Sequence, residues 1–325
     1  MKLIIQIPCL NEADTLHLVL ADLPESIPGI DCIETLVIDD GSTDGTAATA
    51  LGLGVHHVVR HRRNRGLAAA FSSGLDAALD LGADIIVNTD GDHQYPGKHV
   101  ADLVAPILAG RTDVVIGDRN PERDLRQPWL KRVLYRLGRL SVSWIVGQSI
   151  PDPVSGFRAY TRQAADRMHV YTRYSYTLET LVQAIEQGMA IKFVPIETNT
   201  FTRPSRLFRS HTQFVFRSAA TLLRVFFMFH PLQTMMWLSG ILGMIGLLPI
   251  ARFVLYYSLG QGQGHLQSLI LGAALVIASG LALFAGLIAD LVAQNRQLMQ
   301  KMIPQLREAS DLIEASESRS NRNSC

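Results

Sequence analysis

Residues 83–96 read ADIIVNTDGDHQYP: a short apolar run, then two aspartates two positions apart, then Gln94. Side chains at i and i+2 of an extended segment point the same way, so the carboxylates of Asp90 and Asp92 converge on one point. Like charges held that close repel unless a cation joins them, and a divalent metal is the simplest such cation. The apolar run before the pair has the length of a strand, and the same pattern recurs along the amino-terminal half. Strand-length runs at 3–7, 34–38, 55–59, 85–87 and 114–116 alternate with helical stretches at 14–23, 43–51, 67–81 and 99–109. Such alternation predicts βα units wound into a mainly parallel, doubly wound α/β sheet.

Ligands of these sheets bind beyond the carboxyl ends of the strands. The polar clusters lie there: NEAD at 11–14, DDGSTDGT at 39–46 and NTDGDHQYP at 88–96. Ser42 or Thr43 is the expected cap of the second helix.

Composition divides the 325 residues in two. The net charge of +1 gives no global attraction to nucleic acid, so no nucleic-acid partner is expected. From 198 to 289 there is no Asp, Glu or Lys, and the charged side chains are Arg203, Arg206, Arg209, Arg217, Arg224 and Arg252. A purely cationic block beside apolar sequence points to a membrane surface with anionic headgroups. Residues 269–289 form a charge-free run of 21, matching the ~20 needed to cross a bilayer as a helix. Residues 235–257 form a second span, with Pro249 and Arg252 near its far end. Five arginines precede the first span, while Arg296, Lys301 and Arg307 follow the second, which predicts both flanks on the cytoplasmic side.

The organisation read from these features is a cytoplasmic catalytic domain over 1–210 and a juxtamembrane amphipathic helix over 211–230. A transmembrane hairpin over 231–290 and a cytoplasmic helical tail over 291–325 with a disordered end complete it. The opening MKLIIQIP is too short for a signal-peptide core and reads as a first strand. Cys9, Cys32 and Cys325 form no metal-type spacing, in keeping with a reducing compartment. His93, His99 and His211 read as ordinary surface histidines. Residues 128–147 read as a basic amphipathic helix, with Trp129, Val133, Leu137, Leu140 and Trp144 at helical spacing and Arg132, Arg136 and Arg139 on another face. The amphipathic stretch 295–315 points to self-association into a homo-oligomer.

Five motifs occur in order: IPCLNE at 7–12, DDGSTDGT at 39–46, RNRGLAAAFSSGL at 63–75, the D-x-D-x-Q of 90–94 and DPVSGFR at 152–158. Together they resemble glycosyltransferase family 2, in the variant where a GT-A-type catalytic domain carries a membrane appendage, as in the polyprenyl-phosphate glycosyltransferases. The resemblance implies a nucleotide-sugar donor. Pro8, Leu10 and Glu12 would line the base and ribose site, Asp39 would face the base, and Asp90, Gly91 and Asp92 would handle the ribose and diphosphate. Asp90, Asp92 and Gln94 would form the metal site, for Mg²⁺ or Mn²⁺; a departing diphosphate is best neutralised by a hard cation held through carboxylate oxygens.

On the acceptor side the resemblance places Arg119 of a G-x-R segment, Arg132, Ser155 and Arg158, with Asp92, Arg119 and Asp152 as the catalytic set. Relatives carry R-x-x-G-x-S-K after this domain, whereas 202–210 here read TRPSRLFRS. Arg203 and Arg206 would contact the donor, while the glycine and serine of that segment are missing. The expected reaction is inverting transfer of a sugar from a UDP- or GDP-sugar to a polyprenyl phosphate at the cytoplasmic face. The competing readings are transfer to a lipid or protein hydroxyl, and a non-catalytic membrane scaffold. A processive polysaccharide synthase is disfavoured because no Q-x-x-R-W segment is present.

Overall fold

The computed structural model describes residues 1–120, 129–170, 176–199, 227, 231–260 and 266–322. The chain divides into two compact units, Met1–Ser218 and Ala219–Cys325.

The first unit is built on a seven-stranded sheet ordered β3-β2-β1-β4-β6-β5-β7. Its strands are β1 (Lys2–Cys9), β2 (Cys32–Asp39), β3 (His57–Arg60), β4 (Ile85–Asn88), β5 (Val114–Asp118), β6 (Arg158–Thr161) and β7 (Ile191–Pro195). The first five match the apolar runs of the sequence. β6 is antiparallel to both β4 and β5, and β7 is parallel to β5 at the sheet edge. Around the sheet lie α1 (Leu16–Asp22), α2 (Thr46–Gly52), α3 (Leu67–Asp80), α4 (His99–Leu108), α5 (Trp129–Val146), α6 (Arg162–Asp166) and α7 (Tyr176–Glu186).

β1 and β4 are covered on both faces, which is why they read as unbroken apolar runs rather than alternating ones. They share one buried polar pair: Gln6 Nε2 donates to Asn88 Oδ1 at 2.8 Å, while Gln6 Oε1 has no hydrogen-bond partner. The parallel pairing of β1 with β2 and β4 brings three carboxyl ends to one edge, and there the polar clusters gather.

The cap of α2 differs from expectation. Its N-cap is Gly45, at φ 87, and no side chain caps it there. Ser42 Oγ instead accepts the Asn11 N–H at 2.9 Å, and Thr43 donates its N–H to Asn11 Oδ1 at 2.8 Å. The hydroxyls tie the loop after β2 to the loop after β1, and the Asp44 carboxylate accepts the Thr46 N–H in their place.

The second unit consists of α8 (Pro231–Ser258) and α9 (Leu266–Arg322), packed as a pair. Both contain stretches long and apolar enough to cross a membrane, and little of either stretch is buried. Trp237, Met244, Leu248 and Phe284 all stay more than half exposed. Where the sequence predicted a span followed by a tail with a disordered end at 316–325, the described chain runs as one helix through Arg322. Small residues set the contact between the helices. A Cβ on Gly272 would stand 2.7 Å from Gly246 O and 2.5 Å from Ile250 Cγ1, and Ser279 Oγ donates to Ser239 O at 2.9 Å. Gly272→Leu should therefore push the helices apart. In a background with Cys32 and Cys325 replaced by serine, a Ser239→Cys/Ser279→Cys pair should form a disulfide readily, and adding Gly272→Leu should abolish it.

Candidate active site

β4 delivers the acidic pair. After Asn88 the Thr89 N–H still bonds Gln6 O at 3.1 Å, continuing the ladder, and the chain then turns outward at Asp90. Burial, and next the charge of Asp92, push the Asp90 carboxyl from 3.8 up to about 7, with Glu12 adding to the effect and Arg119 opposing it. Asp92 Oδ1 accepts the Gln94 N–H at 3.1 Å across His93, whose φ of 59 makes the turn. Gln94 O in turn accepts the Asn199 N–H.

Gly91 lets this turn lie directly on the end of β1: a Cβ there would stand 2.8 Å from Cys9 Sγ and 3.2 Å from Glu12 Cγ. Its carbonyl accepts the Thr15 hydroxyl at 2.8 Å, and Thr15 also bonds Glu12 Oε2 at 2.9 Å. Pro8 and Glu12 are buried there, and Leu10 is exposed. Asp39, at the end of β2, is buried; Oδ1 accepts the Ser42 N–H at 2.8 Å, and Oδ2 lies 3.3 Å from Arg60 Nε without hydrogen-bond alignment.

Asp40 was not singled out from the sequence, and it organises the neighbouring loop. Its carboxylate accepts the N–H groups of Arg65 at 2.9 Å and Gly66 at 2.8 Å, and meets His61 Nδ1 at 2.7 Å. His61 is itself buried, with Nε2 3.0 Å from Ser73 Oγ. The second acid of the DD pair was the available signal, since adjacent strand-end residues face opposite ways and serve different loops.

Across from the acidic pair, Asp152 is fully buried and takes a bidentate fork from Arg119, Nε to Oδ2 at 2.7 Å and Nη2 to Oδ1 at 3.0 Å. Burial works against the guanidinium charge, but Tyr95 and Asp152 more than offset it and hold Arg119 protonated. Arg119 Nη1 reaches Tyr95 Oη at 3.5 Å, and the same hydroxyl accepts the Gly156 N–H at 3.3 Å. Ser155 is buried with Oγ unpartnered, and Arg132 is partly buried with Nε likewise unpartnered.

Arg158 does not fit the acceptor role implied for it. It is wholly enclosed, donating from Nε to Ser155 O, from Nη1 to Thr180 Oγ1 and from Nη2 to Pro153 O. Its fork is spent on bracing the 152–158 loop against α7. Nor is His99 a surface residue: it is buried, with Nδ1 2.8 Å from Asp102 Oδ2 and Nε2 accepting the Glu197 N–H at 3.2 Å. That bond fixes the proton on Nδ1. His93 is partly exposed, 3.6 Å from Asp22 Oδ2. Arg203, Arg206, Arg209, His211 and the helix expected over 211–230, Phe227 apart, lie outside the described residues.

The two halves meet at Gly156. Its carbonyl accepts from Asn88 Nδ2 at 2.8 Å, and Asn88 Nδ2 also meets Tyr176 Oη at 2.9 Å. A Cβ on Gly156 would lie 2.8 Å from Tyr176 Oη and 3.2 and 3.3 Å from the two oxygens of Asp90. The tyrosine is locked by this network and cannot swing away. Gly156→Ala should cost roughly 1–3 kcal/mol in unfolding free energy, measured by denaturant titration of the solubilised protein, because the core must shift to admit it.

Among the described residues no group of three or more His, Cys, Asp or Glu side chains forms a metal cage. An open pair of carboxylates, repelling each other and half-sheltered, is nonetheless the donor set Mg²⁺ or Mn²⁺ takes when substrate phosphates complete its shell. The residues present fit such an ion.

Comparison with known proteins agrees with this architecture. A polyprenol monophosphomannose synthase of Mycolicibacterium smegmatis is 30% identical over 212 residues, spanning 62% of this chain and 77% of its own. A UDP-N-acetylglucosamine–dolichyl-phosphate N-acetylglucosaminyltransferase of Methanococcus voltae is 29% identical over 188 residues, spanning 50% and 73%. Among solved structures, the glucosyl-3-phosphoglycerate synthase of Mycobacterium tuberculosis in complex with Mn²⁺, UDP-glucose and phosphoglyceric acid superposes with a TM-score of 0.53. It is 23% identical, covers 69% of this chain and 79% of its own, and establishes likeness of fold. Residues 4–168, half of the molecule and all five of the ordered motifs, match the model of glycosyl transferase family 2, and the chain belongs to that family.

Proposed function

We propose that this glycosyltransferase moves a sugar, with inversion, from a nucleoside diphosphate sugar to the phosphate of a polyprenyl lipid on the cytoplasmic face of a membrane. One observation carries the reading. A single loop, 152–158, meets Asp90 through Gly156 and fixes a guanidinium fork through Asp152. That juxtaposition supports a site for a leaving diphosphate beside a site for an attacking phosphate. The names of the mycobacterial and methanococcal relatives support that acceptor class, and the complex of the structural relative supports a nucleotide-sugar donor with a divalent ion.

Asp90 and Asp92 would hold Mg²⁺ or Mn²⁺, with Gln94 beside them; when bound, the ion would neutralise charge growing on the departing diphosphate. Pro8, Leu10, Glu12 and Asp39 would receive the nucleoside, with Gly91 leaving room for it, and Arg203 and Arg206 would approach the donor from beyond the described residues. Arg119 would orient the acceptor phosphate through its remaining N–H groups, with Arg132 and Ser155 beside it. A phosphate monoester, with a second pKa of about 6, is already anionic at neutral pH and needs little help losing a proton. Positioning and charge neutralisation therefore carry the rate. Both oxygens of Asp152 are occupied by Arg119, so it serves as a positioning residue, which disfavours the hydroxyl-acceptor reading. Residues 1–210 would form the catalytic domain, α8 and the first part of α9 would be membrane-inserted, and the rest of α9 would return to the cytoplasm and associate with a second copy.

The test is to incubate the protein in membranes with labelled UDP- and GDP-sugars and polyprenyl phosphate. Label should enter a mild-acid-labile lipid of inverted anomeric configuration. Label appearing in a glycoside made on a hydroxyl, or a retained configuration, would reject the proposal.

A further inference from the structure

We infer that α5 is a membrane-docking surface of the catalytic unit, lying on an anionic bilayer through its tryptophan-flanked stripe. At about 100° per residue, Trp129, Val133, Leu137, Leu140 and Trp144 fall within about 80° of arc. All five are exposed, the two tryptophans by 69% and 70%. The opposite side of the helix is where it meets the protein. Val142 is buried, and Tyr135 is sheltered enough that burial raises its hydroxyl pKa, with Arg119 opposing. Between that inner face and the stripe come Arg132, Arg136 and Arg139. Around the helix the order is thus buried contact, arginine row, exposed apolar stripe.

Charge selects the occupant. Residues 125–151 contain Arg126, Lys131, Arg132, Arg136 and Arg139 and no acid, so the face complements an anionic surface. A groove in a partner protein would suit the apolar stripe equally well but would not call for a flank whose sequence carries cations and no acid. The two tryptophans stand about 22 Å apart along the axis, too short a helix to cross a bilayer yet suited to lying in its interface. The helix is also tied to the acceptor side of the site, since the Ile150 N–H, two residues before Asp152, donates to Ser143 Oγ at 3.0 Å. Docking of the outer face would therefore set the acceptor mouth at headgroup level.

This inference rests on the membrane placement of α8 and α9 in the proposed function, and tryptophan fluorescence separates the two. The chain has three tryptophans, at 129, 144 and 237. The full chain is reconstituted into vesicles of phosphatidylglycerol and dibrominated phosphatidylcholine, once as Trp237→Phe and once as Trp129→Phe/Trp144→Phe. Bromine should quench the Trp237→Phe protein at least about twofold, with a blue-shifted emission, because interfacial tryptophans sit among the lipids. Quenching of the α8 tryptophan alone, with 129 and 144 open to aqueous iodide, would overturn the docking of α5 and spare the membrane placement. No quenching in either variant would overturn both. Protection of 129 and 144 from bromine and iodide alike, lost on diluting protein in lipid, would show a protein partner and overturn the bilayer as occupant. No substrate is needed, so a wrong acceptor assignment leaves the result intact.

Discussion

Asp92→Asn should lower sugar transfer by roughly a thousandfold or more while the chain stays folded. Electrostatic groups aimed at developing charge are commonly worth about 10²–10³ in rate each, and loss of a metal carboxylate removes the ion's contribution as well. The same substitution should make the metal-free protein easier to keep folded at neutral pH. Asp90 is pushed from 3.8 up to about 7 by burial and by Asp92. In the folded state it therefore keeps a proton that the unfolded chain has released, and stability falls as pH rises between those two values. The cost is absent below about pH 3.8 and fully in place above about 7. At about 1.4 kcal/mol per pH unit of displacement, the ceiling is near 4 kcal/mol, and solvent at this partly exposed site lowers it.

Two melting series on solubilised protein, with chelator and with Mn²⁺, check this. In chelator the wild type should lose stability from pH 5 to pH 7, and Asp92→Asn should lose less, because the charge of Asp92 no longer adds to burial and to Glu12. In Mn²⁺ the wild type should gain most near pH 7, since the ion binds the ionised pair. An Asp92→Asn protein that transfers sugar at the wild-type rate would remove the acidic pair from the reaction.

How much of this was legible beforehand depends on what each residue answers to. Asp90 and Asp92 were picked out by period two and a preceding apolar run, yet β4 ends at Asn88 and Gly91 and Asp92 lie in a turn, so of the two signals only the apolar run describes the structure. Asp39 was picked out with its motif, but Asp40 was passed over. Its partners, His61, Arg65 and Gly66, lie more than 20 positions away, and only the pairing of β2 with β3 brings them near. β6 was missed for a related reason: a four-residue strand beginning at an arginine carries no periodic signal, and its place is set by β4 and β5 on either side. Arg158 was misassigned because a motif gives the identity of a side chain and not its direction. A guanidinium near phosphate ligands looks like another ligand until its three nitrogens are found on Ser155, Thr180 and Pro153.

Asp152→Asn is the sharper probe of chemistry. The side chain is buried, and its two oxygens take Arg119 Nε and Nη2 at 2.7 and 3.0 Å. Replacing the carboxylate by an amide leaves one acceptor, turns an NH₂ toward the guanidinium and strands a buried cation. Breaking one partner of such a pair costs about 3–5 kcal/mol, so the variant should melt well below the wild type. Activity should fall about 10²–10³-fold as the fork that would meet the acceptor phosphate loses its orientation.

The shape of the loss separates positioning from base catalysis. A general base contributes an ionisation to the rate, so its removal flattens the rising limb of the pH profile. A positioning residue leaves that limb where the wild type has it, raises the acceptor KM and leaves the donor KM near its original value. Asp152→Glu offers a further control, since it restores the charge on a longer arm and should recover stability more fully than rate. If Asp152→Asn instead erased the rising limb and spared the acceptor KM, the residue would be acting on a proton. The acceptor would then be a hydroxyl, which must lose one, rather than a phosphate that arrives already charged.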